Sequence, residues 1–344
     1  DEDHTTSTPI GGDLMILTRT PFRISFFGGG TDYPTWYMAH GGAFLSMAIN
    51  KYCYISMRRL PPFFEHSHRI VYSLVENVKS IDQIKHPVVR EVLKWKGETR
   101  GLEIHHDGDL PARSGLGSSS SFSVGFIKAL YAFRGQLIDK KELASQAIYT
   151  ERDLLQETVG IQDQIAAAFG GLNWVEIEMN GDYRVNPLIL TKKIQAAFES
   201  HLLLCFTGLS RFASEVAEQK VANLINRQHE LKEMQSMVVA GAELLIGGDF
   251  EGFGKLLDES WQLKRSLAHS VSNDTVDDFY NIAKINGAWG GKLLGAGGGG
   301  FMLFIAPPSA QLRIKQALPE AIFVPISMDS DGSRVAMYQP DEVE

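Results

Sequence analysis

The chain has 344 residues, 33 basic against 41 acidic side chains, and 44% hydrophobic residues. At roughly 150 residues per domain this suffices for about two domains with real cores. The net charge of -8 excludes a non-specific nucleic-acid or polyphosphate coat, which needs surplus Lys and Arg, and the ordinary hydrophobic fraction excludes a disordered chain.

Residues 1–14 lack periodicity and are expected to be an expression-derived or disordered leader, with Met15 the expected native start. Ile24 and Phe26 alternate with Ser25 as a strand ahead of the glycine turn Gly28-Gly29-Gly30. Ala43–Met57 and Gly101–Ile104 are further strand candidates. In 121–134, Phe122, Phe126, Ala129, Leu130 and Phe133 share one helical face, which predicts a helix over Ser121–Arg134. Lys140–Gln156 reads as a second helix and Asp163–Phe169 as a third, stopped by Gly170-Gly171. Asn173–Met179 returns to strand. The texture then changes, which places a boundary near residue 190, on the Asn186-Pro187 turn, and divides 15–190 from 191–344. Beyond it, Leu202–Phe206, Phe301–Ile305 and Ile322–Ile326 read as strands, and Ser214–Ile246 and Phe250–Ala268 as long charged amphipathic helices. Two cysteines, Cys53 and Cys205, sit among apolar neighbours and make no disulfide framework. No apolar run approaches the roughly 20 residues of a membrane span, so a cytoplasmic chain without membrane partners is expected.

Glycine is the compositional outlier, with 33 present against about 24 at ordinary usage. The middle cluster, Pro111-Ala-Arg-Ser114-Gly115-Leu116-Gly117-Ser118-Ser119-Ser120-Ser121, runs straight into a helix. Glycines let backbone approach an anion, and serines at a helix N-terminus offer hydroxyl and N–H donors where the macrodipole favours phosphate. No Lys-Ser/Thr pair follows the last glycine, so this is not a Walker A loop, and something must replace the missing lysine, most simply a metal ion held partly by a serine hydroxyl. The plain alternative is a Ser/Gly cap on a buried helix.

Glu151 falls on the apolar stripe of Leu143, Ala144, Ala147, Ile148 and Leu155. An inward carboxylate needs a cation, either Arg152 or another cationic side chain, or a Mg²⁺ shared with substrate phosphates. Asp163, in Gly160-Ile-Gln162-Asp163-Gln164, is either a helix N-cap or a base for a substrate hydroxyl. Thr31 and Asp32, after Gly29 and Gly30, suit hydrogen bonds to a polyol, or Asp32 is a turn residue. The third cluster, Lys292-Leu-Leu-Gly295-Ala-Gly297-Gly298-Gly299-Gly300, leads into a strand rather than a helix, so a nicotinamide-binding reading fails. Its plain reading is a turn between a helix and a strand.

In this order the three segments resemble the GHMP superfamily of small-molecule kinases, from about residue 17 to 330, most specifically over Pro111–Ser121. The resemblance implies a two-domain α+β fold, with an N-terminal half like ribosomal protein S5 domain 2 and a ferredoxin-like C-terminal half around a cleft. It implies ATP and Mg²⁺ as cofactors. Pro111, Ser114, Gly115, Leu116, Gly117, Ser118, Ser119 and Ser120 would wrap the ATP phosphates, and Ser119 with Glu151 would hold Mg²⁺. Asp163 would be the catalytic carboxylate with Arg23 beside it. Gly29, Gly30, Thr31, Asp32, Gln162, Gly297 and Gly298 would meet the acceptor. Gly29-Gly30 stands where galactokinases carry Glu-His, and RTPFRISFFGGGTDYPTWY looks most like the D-glycero-D-manno-heptose 7-phosphate kinases, with fucokinase-type domains as neighbours. That branch phosphorylates the anomeric hydroxyl to give the 1,7-bisphosphate used toward GDP-heptose. A distal phosphate would need cations, for which Arg113, Lys264 and Arg265 are candidates. The alternatives are a fucokinase-type, homoserine or mevalonate-type kinase, or a non-catalytic ATP and sugar sensor, working as a monomer or homodimer.

Overall fold

The computed structural model describes residues 14–208, 226–267 and 271–340. The expected leader lies outside these residues except for Leu14, as do Ala268 and positions 214–225 of the first long C-terminal helix.

The first unit is an eight-stranded sheet built on two long strands, β1 (Met15–Phe27) and β2 (Gly42–Arg59), paired antiparallel along nearly their whole length. After β3 (His68–Val71), β4 (Val75–Val78) and β5 (Leu102–Gly108), the order across the sheet runs β12, β1, β2, β5, β3, β4, where β12 is Arg334–Gln339. The first half of β2 pairs instead with β6 (Leu172–Ile177), and β6 with β7 (Tyr183–Pro187). The β1–β2 register slips between Pro21 and Arg23 and again between Ser25 and Phe27. Proline cannot donate to a ladder, and a bulge re-aims the side chains beside it. Here that segment carries Arg23 and Ser25.

Helices Ser118–Phe133 and Gln162–Phe169 pack on this sheet, and Lys140–Tyr149 packs against both of them. The first begins three residues before the expected Ser121, because the left-handed Gly117 (φ 72°) is its cap. The expected helix over 140–156 stops at Tyr149 and continues as a π-helical turn, Thr150–Leu154. Helices Pro34–His40 and Pro87–Trp95 each start at a proline, whose fixed φ suits the first turn.

The second unit is a four-stranded antiparallel sheet of β8 (Leu202–Phe206), β9 (Gly290–Leu293), β10 (Phe301–Ile305) and β11 (Ile322–Val324), in the order β11, β8, β10, β9. In chain order this is the 4-1-3-2 arrangement of a ferredoxin-like sheet, with helices Gln228–Gly247, Phe250–Leu267 and Asp274–Ile285 between its first two strands. The third glycine cluster therefore joins two strands, since Gly290–Leu293 is β9 and not the end of a helix.

Helix Lys192–His201 crosses between the units. Its Phe198 meets Phe26 of β1 and Phe253 at ring separations of 5.7 and 5.4 Å, in one continuous core. The last strand near the C-terminus belongs to the first sheet rather than to the second. Strand β12 returns to pair with β1, from Met15 opposite Gln339 to Arg19 opposite Arg334. Among the described residues no helix is long and apolar enough to cross a membrane.

Candidate active site

A cavity of about 550 Å³ opens where the two units face each other. Its floor is the glycine-serine loop. Gly115 and Gly117 take up positive φ (90° and 72°), and the loop then enters helix Ser118–Phe133. Ser121 N donates to the Gly117 carbonyl at 2.9 Å, closing the first turn of the helix. The N–H groups of a first helical turn have no intrahelical partner, and Ser118, Ser119 and Ser120 carry theirs on the cavity wall. The loop's back is pinned: Arg23 N donates to Leu116 O at 3.0 Å, and Phe301 N to Ser114 O at 3.1 Å. A Cβ at Gly115 would lie 2.4 Å from the Leu294 carbonyl oxygen, and one at Gly295 2.5 Å from the Gly115 Cα. Only paired glycines allow two backbones this close.

Arg23 and Asp163 form the central pair. Arg23 Nε donates to Asp163 Oδ1 at 2.6 Å and Nη1 to the Gly115 carbonyl at 2.8 Å, with the arginine side chain 6% and the aspartate 31% exposed. Asp163 is not the N-cap expected from its position. The helix starts at Gln162 with Ile161 as cap, and Asp163 lies in the first turn with its carboxylate aimed at Arg23.

Glu151 is fully buried on the π-helical turn. Such turns insert one residue and rotate the next side chain off the helical face. Its Oε2 accepts from Ser120 Oγ at 2.9 Å and from Gln164 Nε2 at 2.5 Å, while Oε1 has no hydrogen-bond partner among the described residues. Burial pushes its carboxyl up to about 7, against the pull of the Ser123 and Ser120 hydroxyls and the Gln164 amide. Arg152 bonds Asp153 and the Tyr37 hydroxyl. A carboxylate oxygen left open beside a phosphate loop fits a hard cation that takes one or two protein oxygens. Ser119, exposed at the loop, and Glu151 both line the cavity.

On the facing side, Asp32 Oδ1 accepts from Gly30 N at 3.1 Å and Oδ2 from Gln162 N at 3.3 Å. Gln162 Nε2 donates to Ser25 Oγ at 3.0 Å, and its Oε1 is buried without a hydrogen-bond partner among the described residues. Gly29, Gly30, Asp32, Gln162, Arg113 and Lys264 line the cavity. Thr31 does not. It is fully buried, with its hydroxyl between the carbonyls of Gly28 and Ala43, and fixes the turn on β2. Pro111, Ser114 and Leu116 lie behind the loop, where Ser114 Oγ donates to Pro111 O and Leu116 is buried. Gly297 and Gly298 also miss the wall. A Cβ at Gly297 would be 2.7 Å from Val271 Cα, and Gly298 N donates to Val271 O, so this stretch is a backbone packing joint. Arg265 pairs with Asp277 at 2.7 Å, away from the lining residues.

Sequence reasoning assigned no role to Ser25, Tyr33, Glu157, Met234 or Lys292, all of which line the cavity. Burial first, then the Asp32 and Asp163 carboxylates, push the Tyr33 phenol far above its ordinary range, so it faces the site as a neutral hydroxyl. Its place immediately after Asp32 was the one available signal.

Residues 82–171 match the family model of the GHMP kinases N terminal domain, and 242–323 that of the GHMP kinases C terminal. The chain is 32% identical to the D-glycero-alpha-D-manno-heptose 7-phosphate kinase of Campylobacter jejuni, over 88% of this chain and 93% of that protein. It is 26% identical to the bifunctional fucokinase/GDP-fucose pyrophosphorylase of Arabidopsis thaliana, over 87% of this chain and 31% of that one. The solved D-glycero-D-manno-heptose 1-phosphate kinase from Bacteroides thetaiotaomicron has the same fold, with a TM-score of 0.76 at 24% identity, covering 92% of this chain and 97% of that one. The chain belongs to the GHMP kinase family, as an ATP-dependent phosphotransferase with a hydroxyl acceptor.

Proposed function

We propose that this sugar kinase transfers the γ-phosphoryl group of ATP to the anomeric hydroxyl of D-glycero-D-manno-heptose 7-phosphate, giving the 1,7-bisphosphate. The observation that carries the reading is the Arg23–Asp163 pair, set between the serine-rich helix N-terminus and the Asp32–Gln162 polar wall of one cavity. The likeness to the Campylobacter jejuni heptose 7-phosphate kinase supports this acceptor over others.

Phosphoryl transfer passes through a loose transition state, so positioning and charge compensation dominate. The Ser118–Ser120 N–H groups and the Gly115–Gly117 backbone hold the nucleotide phosphates. Asp32, Gln162 and Tyr33 bind and orient the sugar hydroxyls. Asp163 accepts a hydrogen bond from the attacking hydroxyl and takes its proton late, and Arg23 spans Asp163 and the loop at the point where charge develops. Ser119 and Glu151 would hold Mg²⁺, for which the open Glu151 Oε1 is the fitting donor. When bound, Mg²⁺ supplies charge neutralisation on the phosphate oxygens.

The test is an ADP-release assay over free and phosphorylated hexoses and heptoses, with ³¹P NMR to locate the new phosphate. Selective turnover of heptose 7-phosphate with a new anomeric phosphate is expected. Turnover of free fucose, free galactose or heptose 1-phosphate, with none on heptose 7-phosphate, would sink the proposal.

A further inference from the structure

Resting on the reading of Glu151 as a cation ligand, we infer that Gln164 is the residue that positions Glu151 for the cation. Gln164 is 1% exposed, yet it lines the cavity. Its Nε2 donates to Glu151 Oε2 at 2.5 Å. An ionised carboxylate only accepts, so the amide turns its nitrogen to Glu151 and its carbonyl away. That carbonyl oxygen, Gln164 Oε1, and the second carboxylate oxygen, Glu151 Oε1, are both buried without a hydrogen-bond partner among the described residues. One hydrogen-bonded pair thus holds two open acceptors beside the serine-rich loop. Unmatched buried acceptors are costly. A hydrated hard cation answers both, since it takes a carboxylate oxygen directly and carries waters that donate.

The place of Gln164 in the fold gives the contact its purpose. Glu151 stands on the π-helical turn Thr150–Leu154, and two other elements reach its Oε2. Ser120 Oγ comes from the helix that leaves the glycine-serine loop, and Gln164 Nε2 from the first turn of helix Gln162–Phe169. Three consecutive side chains of that turn are engaged. Gln162 meets Ser25 at 3.0 Å, Asp163 meets Arg23 at 2.6 Å, and Gln164 meets Glu151. Adjacent side chains leave a helix roughly 100° apart. One turn therefore holds the Asp163 carboxylate on one side and grips the Glu151 carboxylate on another, which fixes the spacing between base and cation. An outer partner of this kind orients a ligating carboxylate.

The experiment follows Mn²⁺ binding to the full chain at saturating ADP, by the enhancement of water-proton relaxation. It compares wild type, Gln164→Met, Glu151→Gln and the double variant, and the fitted affinity does not depend on the fraction of enzyme folded. Gln164→Met, similar in size but without the amide, should weaken Mn²⁺ binding on the order of 10- to 100-fold. The Mg²⁺ concentration for half-maximal turnover should rise in parallel, with KM for the acceptor unchanged. Gln164→Asn, which keeps the amide but retracts it by one methylene, should show a loss of the same sign. Because Gln164 acts through Glu151, the double variant should bind Mn²⁺ no more weakly than Glu151→Gln alone. Wild-type affinity in Gln164→Met, or losses that multiply in the double variant, overturns the inference and leaves Glu151 as the ligand. Wild-type affinity in Glu151→Gln overturns the reading of Glu151 as a ligand, and the inference with it.

Discussion

Glu151→Gln separates the electrostatic role of this carboxylate from its packing. The glutamine carbonyl can keep the hydrogen bonds from Ser120 and Gln164, and its amide fills the open Oε1 position, so the fold should survive. The wild-type carboxyl titrates at about 7 in the fold against 4.5 ordinarily. Between those values the folded chain holds a proton that the unfolded chain has released, so stability falls as pH rises from about 4.5 to about 7. At about 1.4 kcal/mol per pH unit the span amounts to roughly 3 kcal/mol. Urea unfolding in EDTA should show the two proteins near equal at pH 5 and the variant more stable by up to roughly 3 kcal/mol at pH 8. Mg²⁺ should return stability to wild type, increasingly above pH 7, and leave the variant unmoved. Turnover of the variant should fall about 100-fold or more, as when a preorganised charge is lost from a transition state. Parallel wild-type and variant stability curves from pH 5 to 8.5 would refute the reasoning.

Asp163→Ala should lower kcat by roughly 10²- to 10⁴-fold, the range for loss of a general base, with ATP affinity by calorimetry intact. Near-normal turnover would remove Asp163 from the chemistry. Gly115→Ala asks for a side chain at φ 90° and 2.4 Å from the Leu294 carbonyl oxygen. It should cost at least about 1–2 kcal/mol in urea unfolding, and raise KM for ATP as the loop shifts off its support. An unchanged KM for ATP would mean that the loop does not position the nucleotide.

Much of the site was legible because its signals are local. The Ser118–Phe133 helix shows in the spacing of Phe122, Phe126 and Leu130, and Glu151 betrays itself as a charge on an apolar stripe. The π-helical turn that carries Glu151 was not legible, since a one-residue insertion leaves too short a pattern to break a helical period. Nor was the return of β12 to β1, because strand pairing across more than 300 residues has no local sequence signature. Lys292 shows the same limit: its ammonium is placed by a carbonyl 266 positions away.

The glycines divide on this same ground. Gly297 and Gly298 have the residue type of a ligand site, yet Gly297 serves close backbone approach and Gly298 a backbone hydrogen bond, because the absence of a Cβ suits an anion and a neighbouring chain equally. What distinguishes Gly115 is that it does both. One side faces the cavity and the other meets Gly295 of the second unit, so neither glycine cluster could be interpreted without its partner. The consequence is mechanical. With Phe301 N on Ser114 O and Arg23 N on Leu116 O, the loop is held from behind by both units. Its N–H groups are then already aimed when a phosphate arrives, and preorganised donors of this kind contribute most to transfer because they need not reorient as charge develops.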